Sequence, residues 1–119
     1  MIFIVDDDDA TRDSLRLLLE GEGFAARDFA SGRLFLDAVR PASGDCLVLD
    51  VNMPDMNGFD VFNELRRRGD ALPIIFITAW PDPMLRSRAR AAGAFALLEK
   101  PHRADELLAL IRRAAARED

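Results

Sequence analysis

Five short apolar runs alternate along this chain with five stretches of helical periodicity, and that alternation leaves few folds open. The runs are Ile2–Val5, Phe24–Phe29, Leu47–Val51, Ile74–Thr78 and Phe95–Leu98. Leu47-Val48-Leu49 is apolar on both sides of the chain, as a strand covered on both faces must be. Between the runs, Leu15, Leu18 and Leu19 share one face of a helix that starts at about Asp9, a residue able to cap it, and ends at Gly21 and Gly23. Ser31 can cap a second helix carrying Leu34, Phe35, Ala38 and Val39, which Pro41 stops. A third carries Val61, Phe62 and Leu65, followed by Arg66-Arg67-Arg68. A fourth, about Pro83–Ala92, is weakly amphipathic and expected to be loosely held. The last, about Ala104–Ala116, shows Leu107, Leu108, Ile111 and Ala115 at helical spacing. Strand–helix alternation of this kind implies a parallel sheet with helices on both faces. Open sheets of that type bind ligands outside the carboxyl ends of their strands.

Composition removes several function classes. A chain of 119 residues is one domain with one real core. A formal charge of −5 argues against non-specific nucleic-acid binding. The one cysteine, Cys46, excludes an internal disulfide and reads as a small buried hydrophobe. One Cys and one His, His102, cannot build a zinc site of the usual ligand types. No apolar run approaches the roughly 20 residues of a membrane span. No signal peptide is visible at the N-terminus, so a cytoplasmic location is expected.

The chemistry collects at the strand ends. The first strand runs into Asp6, Asp7, Asp8 and Asp9, and the third ends at Asp50. The fourth ends at Thr78, and the fifth runs into Glu99-Lys100-Pro101. In a parallel sheet these ends share one edge, so carboxylates, a hydroxyl and an ammonium converge. Stacked carboxylates are costly unless a cation offsets them. Mg²⁺ suits the site: a hard ion that takes one or two carboxylates and keeps several waters. Asp7 and Asp50 are candidate direct ligands, Asp6 a ligand through water, and the Asn52 carbonyl a further one. Lys100 is the sole lysine in a chain whose other basic side chains are all arginine. Its compact charge suits one phosphoryl oxygen or one aspartate. The set suits phosphoryl transfer, where positioning and charge neutralisation supply nearly all the catalysis. Thr78 would donate a hydrogen bond to the phosphoryl group. Asp8 and Asp9 read as cap and surface charge, Gly58 as a backbone device at a helix entry, and His102 as a surface residue.

Val5-Asp6-Asp7, Asp50 with Met53-Pro54 and Gly58, Thr78-Ala79, and Lys100-Pro101 occur in this order across essentially the whole chain. With them the sequence resembles the receiver domain of two-component response regulators, the CheY-like family. The resemblance implies a flavodoxin-like α/β fold: a five-stranded parallel sheet in order 2-1-3-4-5, doubly wound with five helices. Residues 1–119 are then one receiver domain, with no output domain expected within them. It implies that Asp50 accepts a phosphoryl group from a sensor histidine kinase or phosphotransfer protein, with Mg²⁺ at Asp6, Asp7 and Asp50. It implies that Thr78 and Lys100 sense that group, and that a cis peptide precedes Pro101. Such a domain is a signalling switch that promotes its own phosphorylation and dephosphorylation, and is not an enzyme acting on a separate metabolite. Homodimerisation on phosphorylation is a further family expectation, for which Arg86, Arg90, Arg112 and Arg113 beside Asp105 and Glu106 supply charge.

Two positions depart from the family. Leu97 stands where a switch aromatic is usual, with Phe95 expected on the same side of the strand, and His102 follows Lys-Pro where Phe is common. Leu97 keeps open a second reading, a degenerate receiver that acts as an interaction module. A third, an aspartate-nucleophile phosphatase, usually needs an acid/base Asp two residues after the nucleophile, and position 52 is Asn.

Overall fold

The computed structural model describes residues 1–80, 82–100 and 103–116. Its elements follow the expected alternation: β1 (Ile2–Val5), α1 (Asp9–Gly21), β2 (Ala26–Phe29), α2 (Gly32–Ala38) and β3 (Cys46–Asp50), then α3 (Gly58–Arg67), β4 (Ile74–Thr78), α4 (Pro83–Ala92), β5 (Ala96–Glu99) and α5 (Ala104–Ala115). All neighbouring strands pair in parallel, in the order β2-β1-β3-β4-β5. The central strands β1, β3 and β4 are buried at every position. Consequently they carry continuous apolar runs instead of alternating ones.

Period-two alternation sorts each central strand between two cores. Phe3, Val5, Leu47, Leu49, Ile74 and Phe76 meet α2, α3 and α4. Ile2, Ile4, Val48, Ile75 and Ile77 meet α1 and α5. Cys46 belongs to the second core, where burial pushes its thiol up to about 12. That thiol is therefore inert packing.

Local chemistry shifts some expected details. Asp8, rather than Asp9, caps α1, accepting from the Ala10 N–H; this leaves Asp9 in the first helical turn. Ser31 caps α2 as expected, accepting from the Leu34 N–H. Leu34 itself is exposed, and Phe35, Leu36 and Val39 make the buried contact. In α5, Ala114 takes the fully buried position that the spacing assigned to Ala115. Helix α4 buries one residue, Ala89, and ends at Gly93, whose φ of 92° is the left-handed cap that glycine adopts without strain.

Phe95 is a clear correction. It lies before β5 rather than in it and packs against the α1–α5 core, with the Arg113 guanidinium 5.7 Å from its ring centroid. Leu97 packs against the other core. The strand alternation that would align the two side chains begins only at Ala96. The expected cis peptide before Pro101, and His102, fall outside the described residues.

Gly58 fixes the approach of α3 to the end of β3. Its N–H donates to the Val51 carbonyl at 3.1 Å. A Cβ there would lie 2.7 Å from the Asp50 carbonyl oxygen and 3.0 Å from the Val51 Cα. Both obstacles are backbone, so relief requires moving the strand end. Gly58→Ala is expected to cost about 1–3 kcal/mol, as overpacking does, and to lower the melting midpoint by several degrees. Gly21→Ala, with nothing within 4 Å of the added Cβ, serves as the neutral control. Thermal denaturation of the two variants checks this; equal midpoints would contradict it.

Candidate functional site

The topology brings the carboxyl ends of β1, β3 and β4 side by side in the middle of the sheet. Asp6, Asp7 and Asp50 each present a carboxylate oxygen within 4.8 Å of the others. Among the described residues this is the group of acidic side chains arranged to hold a metal ion. Asp6 and Asp50 are almost fully buried, 2% and 4% exposed, whereas Asp7 is open to solvent. A cleft of about 130 Å³ opens beside Asp7, lined by Ser31, Arg33, Met53 and Met56 among others.

Each buried carboxylate has partial compensation. Asp6 accepts from the Asp8 N–H at 2.9 Å and from the Lys100 ammonium at 3.2 Å. Lys100 therefore reaches the acidic cluster from the far side of β3 and β4. Its backbone N–H donates to the Thr78 carbonyl at 2.7 Å, tying the loop after β5 to the end of β4. Asp50 accepts from the Asn52 N–H at 3.2 Å. This does not balance its surroundings: burial first, and the Asp6 charge second, push the Asp50 carboxyl up to about 7. Lys100 and the Asn52 N–H pull in the opposite direction and lose.

Thr78 is fully buried, and its hydroxyl donates to the Asn52 side-chain carbonyl at 2.8 Å while accepting from the Trp80 N–H at 3.1 Å. Asn52 thus faces both ways, through its N–H to Asp50 and its side chain to Thr78. The Trp80 side chain is 73% exposed and not packed into the core. Glu99, at the end of β5, pairs with Arg86 of α4 and takes no part in the cluster.

Of the residues singled out in the sequence, Asp6, Asp7 and Asp50 converge directly, with Lys100 on Asp6 and Asn52 on Asp50. Two contributors were missed. Arg12 of α1 donates to the Asp6 carbonyl at 2.7 Å and to Asp28 of β2 at 3.2 Å, pinning the loop that carries Asp6 and Asp7. Asp28 is 16 residues away, so no local spacing announces this clamp. Asn57 and Asp60 form a reciprocal capping box at the start of α3. The Asn-x-x-Asp spacing was legible and resembles the usual signature.

Three comparisons with known proteins bear on this geometry. Residues 2–112 match the response regulator receiver domain family. Response regulator protein TodT of Pseudomonas putida is 40% identical over 114 residues, covering 96% of this chain and 50% of that protein. Transcriptional regulatory protein FixJ of Bradyrhizobium diazoefficiens is 38% identical over 110 residues, covering 92% of this chain and 54% of that protein. The chain thus spans about half the length of the curated relatives it matches. Among solved structures, response regulator StyR superposes with a TM-score of 0.89 at 40% identity, covering 96% of this chain and 58% of that one. The Vibrio cholerae chemotaxis protein CheY4 gives 0.83 at 28% identity, covering 95% and 96%. This chain belongs to the response regulator receiver domain family, whose general function is that of a phosphorylation-activated signalling switch.

Proposed function

We propose that this chain is a working phospho-acceptor and that Asp50 receives the phosphoryl group from a sensor histidine kinase or phosphotransfer protein. The observation that carries the reading is the convergence of three strand ends on one buried carboxylate: Asp50 beside Asp6 and Asp7, with Lys100 reaching in to Asp6. In the transfer, an Asp50 carboxylate oxygen attacks phosphorus, a P–O bond forms, the P–N bond to the donor imidazole breaks, and its electron pair stays on the imidazole. Lys100 offsets charge on the equatorial oxygens. Thr78 offers the hydroxyl that can bond one of them once transferred.

The donor set fits Mg²⁺, since three aspartate carboxylates supply hard oxygen ligands and no nitrogen or sulfur ligand stands among them. Asp6, Asp7 and Asp50 would hold it, with the main-chain carbonyl of Asn52 as a further ligand. When bound it supplies positive charge against the carboxylates and the incoming phosphoryl oxygens. Asp50 must lose its proton to attack, and the environment that raises its pKa to about 7 opposes that loss in the metal-free state. Residues 1–119 serve as the receiver unit of a cytoplasmic signalling pathway, promoting their own phosphorylation and dephosphorylation. Dimerisation has less free charge to use than the sequence promised. Arg86 is paired with Glu99, and Arg112 with Glu22 at 2.7 Å.

Intact mass after incubation with acetyl phosphate or phosphoramidate and Mg²⁺ tests the proposal. One added phosphoryl group is expected in the wild type, and none in Asp50→Ala or with chelator. An equal adduct in Asp50→Ala would overturn it.

The carboxyl pair also predicts a pH dependence. Unfolded, Asp50 titrates near its ordinary 3.8; folded and metal-free, near 7. Between these values the folded state holds the extra proton, so this group's stabilising contribution is full below about pH 4 and is lost as pH rises through 7. Relative to Asp50→Asn, the metal-free wild type is expected to lose stability across that window, and Mg²⁺ to reverse the loss. Parallel pH profiles of the two melting midpoints would contradict this.

A further inference from the structure

The Thr78 hydroxyl carries one proton, and that proton is committed. It goes to the Asn52 side-chain oxygen at 2.8 Å, between groups 26 residues apart on neighbouring strand ends. The hydroxyl oxygen is also occupied, accepting from the Trp80 N–H at 3.1 Å. Thr78 is completely buried, so its hydroxyl is shielded from water, although its two partners, Asn52 and Trp80, are exposed. A hydroxyl with one proton can serve Asn52 or a phosphoryl oxygen on Asp50, but not both.

We infer that Asn52 is a positioning residue that restrains Thr78 in the unphosphorylated state, so that engaging a phosphoryl group requires breaking the Asn52–Thr78 hydrogen bond. The inference rests on the reading of Asp50 as the phospho-acceptor. Three features make Asn52 suited to the part. Its N–H holds Asp50 at 3.2 Å while its side chain holds Thr78, so one residue spans acceptor and sensor. It lies at the solvent-exposed mouth of the site, so its side chain can leave Thr78 and be hydrated at little cost. And the Trp80 N–H, bonded to the same hydroxyl, links any movement of Thr78 to the start of the loop before α4. With Leu97 where the family has an aromatic, that backbone link offers a route from the site to α4 that needs no rotating ring.

The test has two arms, on wild type, Asn52→Leu, Asn52→Ala, Thr78→Ala and the Asn52→Leu/Thr78→Ala double variant. In metal-free protein, amide hydrogen exchange at Trp80 reads the restraint directly. Both Asn52 variants are expected to exchange several-fold faster there, with amides of β1 and β3 unchanged. With Mg²⁺ present, affinity for beryllofluoride, a phosphoryl mimic, reads the competition. Removing the Asn52 acceptor frees the Thr78 proton, so binding is expected to tighten about fivefold, the worth of one ordinary intramolecular hydrogen bond. That gain should vanish in the Thr78→Ala background. Unchanged Trp80 exchange, unchanged affinity, or a gain that persists without the Thr78 hydroxyl would each overturn the inference. Wild type that binds no beryllofluoride at all would instead refute the phospho-acceptor reading, and the exchange arm would still decide the restraint.

Discussion

Holding two aspartates side by side under near-complete burial is the demand on which the rest of this structure depends. Asp6 and Asp50 repel each other where water cannot screen them, and an unpaired buried charge is among the costliest features a fold can carry. The apolar strands on which they stand are what impose the arrangement. Parallel pairing sets Val5 opposite Leu49 and Asp50 opposite Ile77, so the strands cannot slip apart to relieve the carboxylates without exposing both cores. Lys100 relieves part of the strain from across the sheet, and backbone N–H groups relieve a little more. The remainder shows in Asp50, whose carboxyl is held far from its ordinary range. Residual strain of this kind is a feature of functional sites, where a ligand is meant to supply what the protein leaves uncompensated.

Other elements serve to keep that arrangement rigid. Gly58 admits the first turn of α3 against the backbone of Asp50 and Val51, where any side chain would collide. The Asn57–Asp60 capping box fixes where that turn begins. On the opposite side, Arg12 binds the Asp6 carbonyl and Asp28 with one guanidinium, whose planar fork can hold two partners at once. Helix α4 is different: it buries one side chain and is joined to β5 by the Arg86–Glu99 pair and to α3 by the Arg88 guanidinium, 4.1 Å from the Phe59 ring centroid. A cavity of about 250 Å³ lies between this helix and β5, lined by Ala89, Phe95 and Leu97 among others. The helix with the fewest buried residues is thus the one next to Thr78 and Trp80. Local stability differences of this sort are what allow one element to respond while the sheet stays fixed.

Much of this was legible in the sequence because it depends on local pattern. Apolar runs and helical spacing place ten elements, and topology then forces Asp6, Asp50, Thr78 and Lys100 to one edge whatever the details of packing. Legibility ends where a feature depends on pairs distant in sequence or on the limits of an element. Arg12 and Asp28 meet only because α1 packs beside β2, and Asn52 and Thr78 only because β3 lies beside β4. Phe95 shows the second limit. Reading it into β5 placed it beside Leu97, but the strand starts one residue later and the ring turns to the α5 side. A one-residue boundary shift is enough to reverse a face, because strand alternation has a period of two.

The central claim is that Asp50, among three clustered aspartates, is the residue that carries the phosphoryl group. Borohydride reduction of the phosphorylated protein, followed by peptide mapping, tests it most directly, since an acyl phosphate is reduced to homoserine at the residue that bore it. The account predicts homoserine at position 50, with Asp6 and Asp7 intact. Homoserine at position 6 or 7, or a stable adduct that borohydride leaves unreduced, would contradict it.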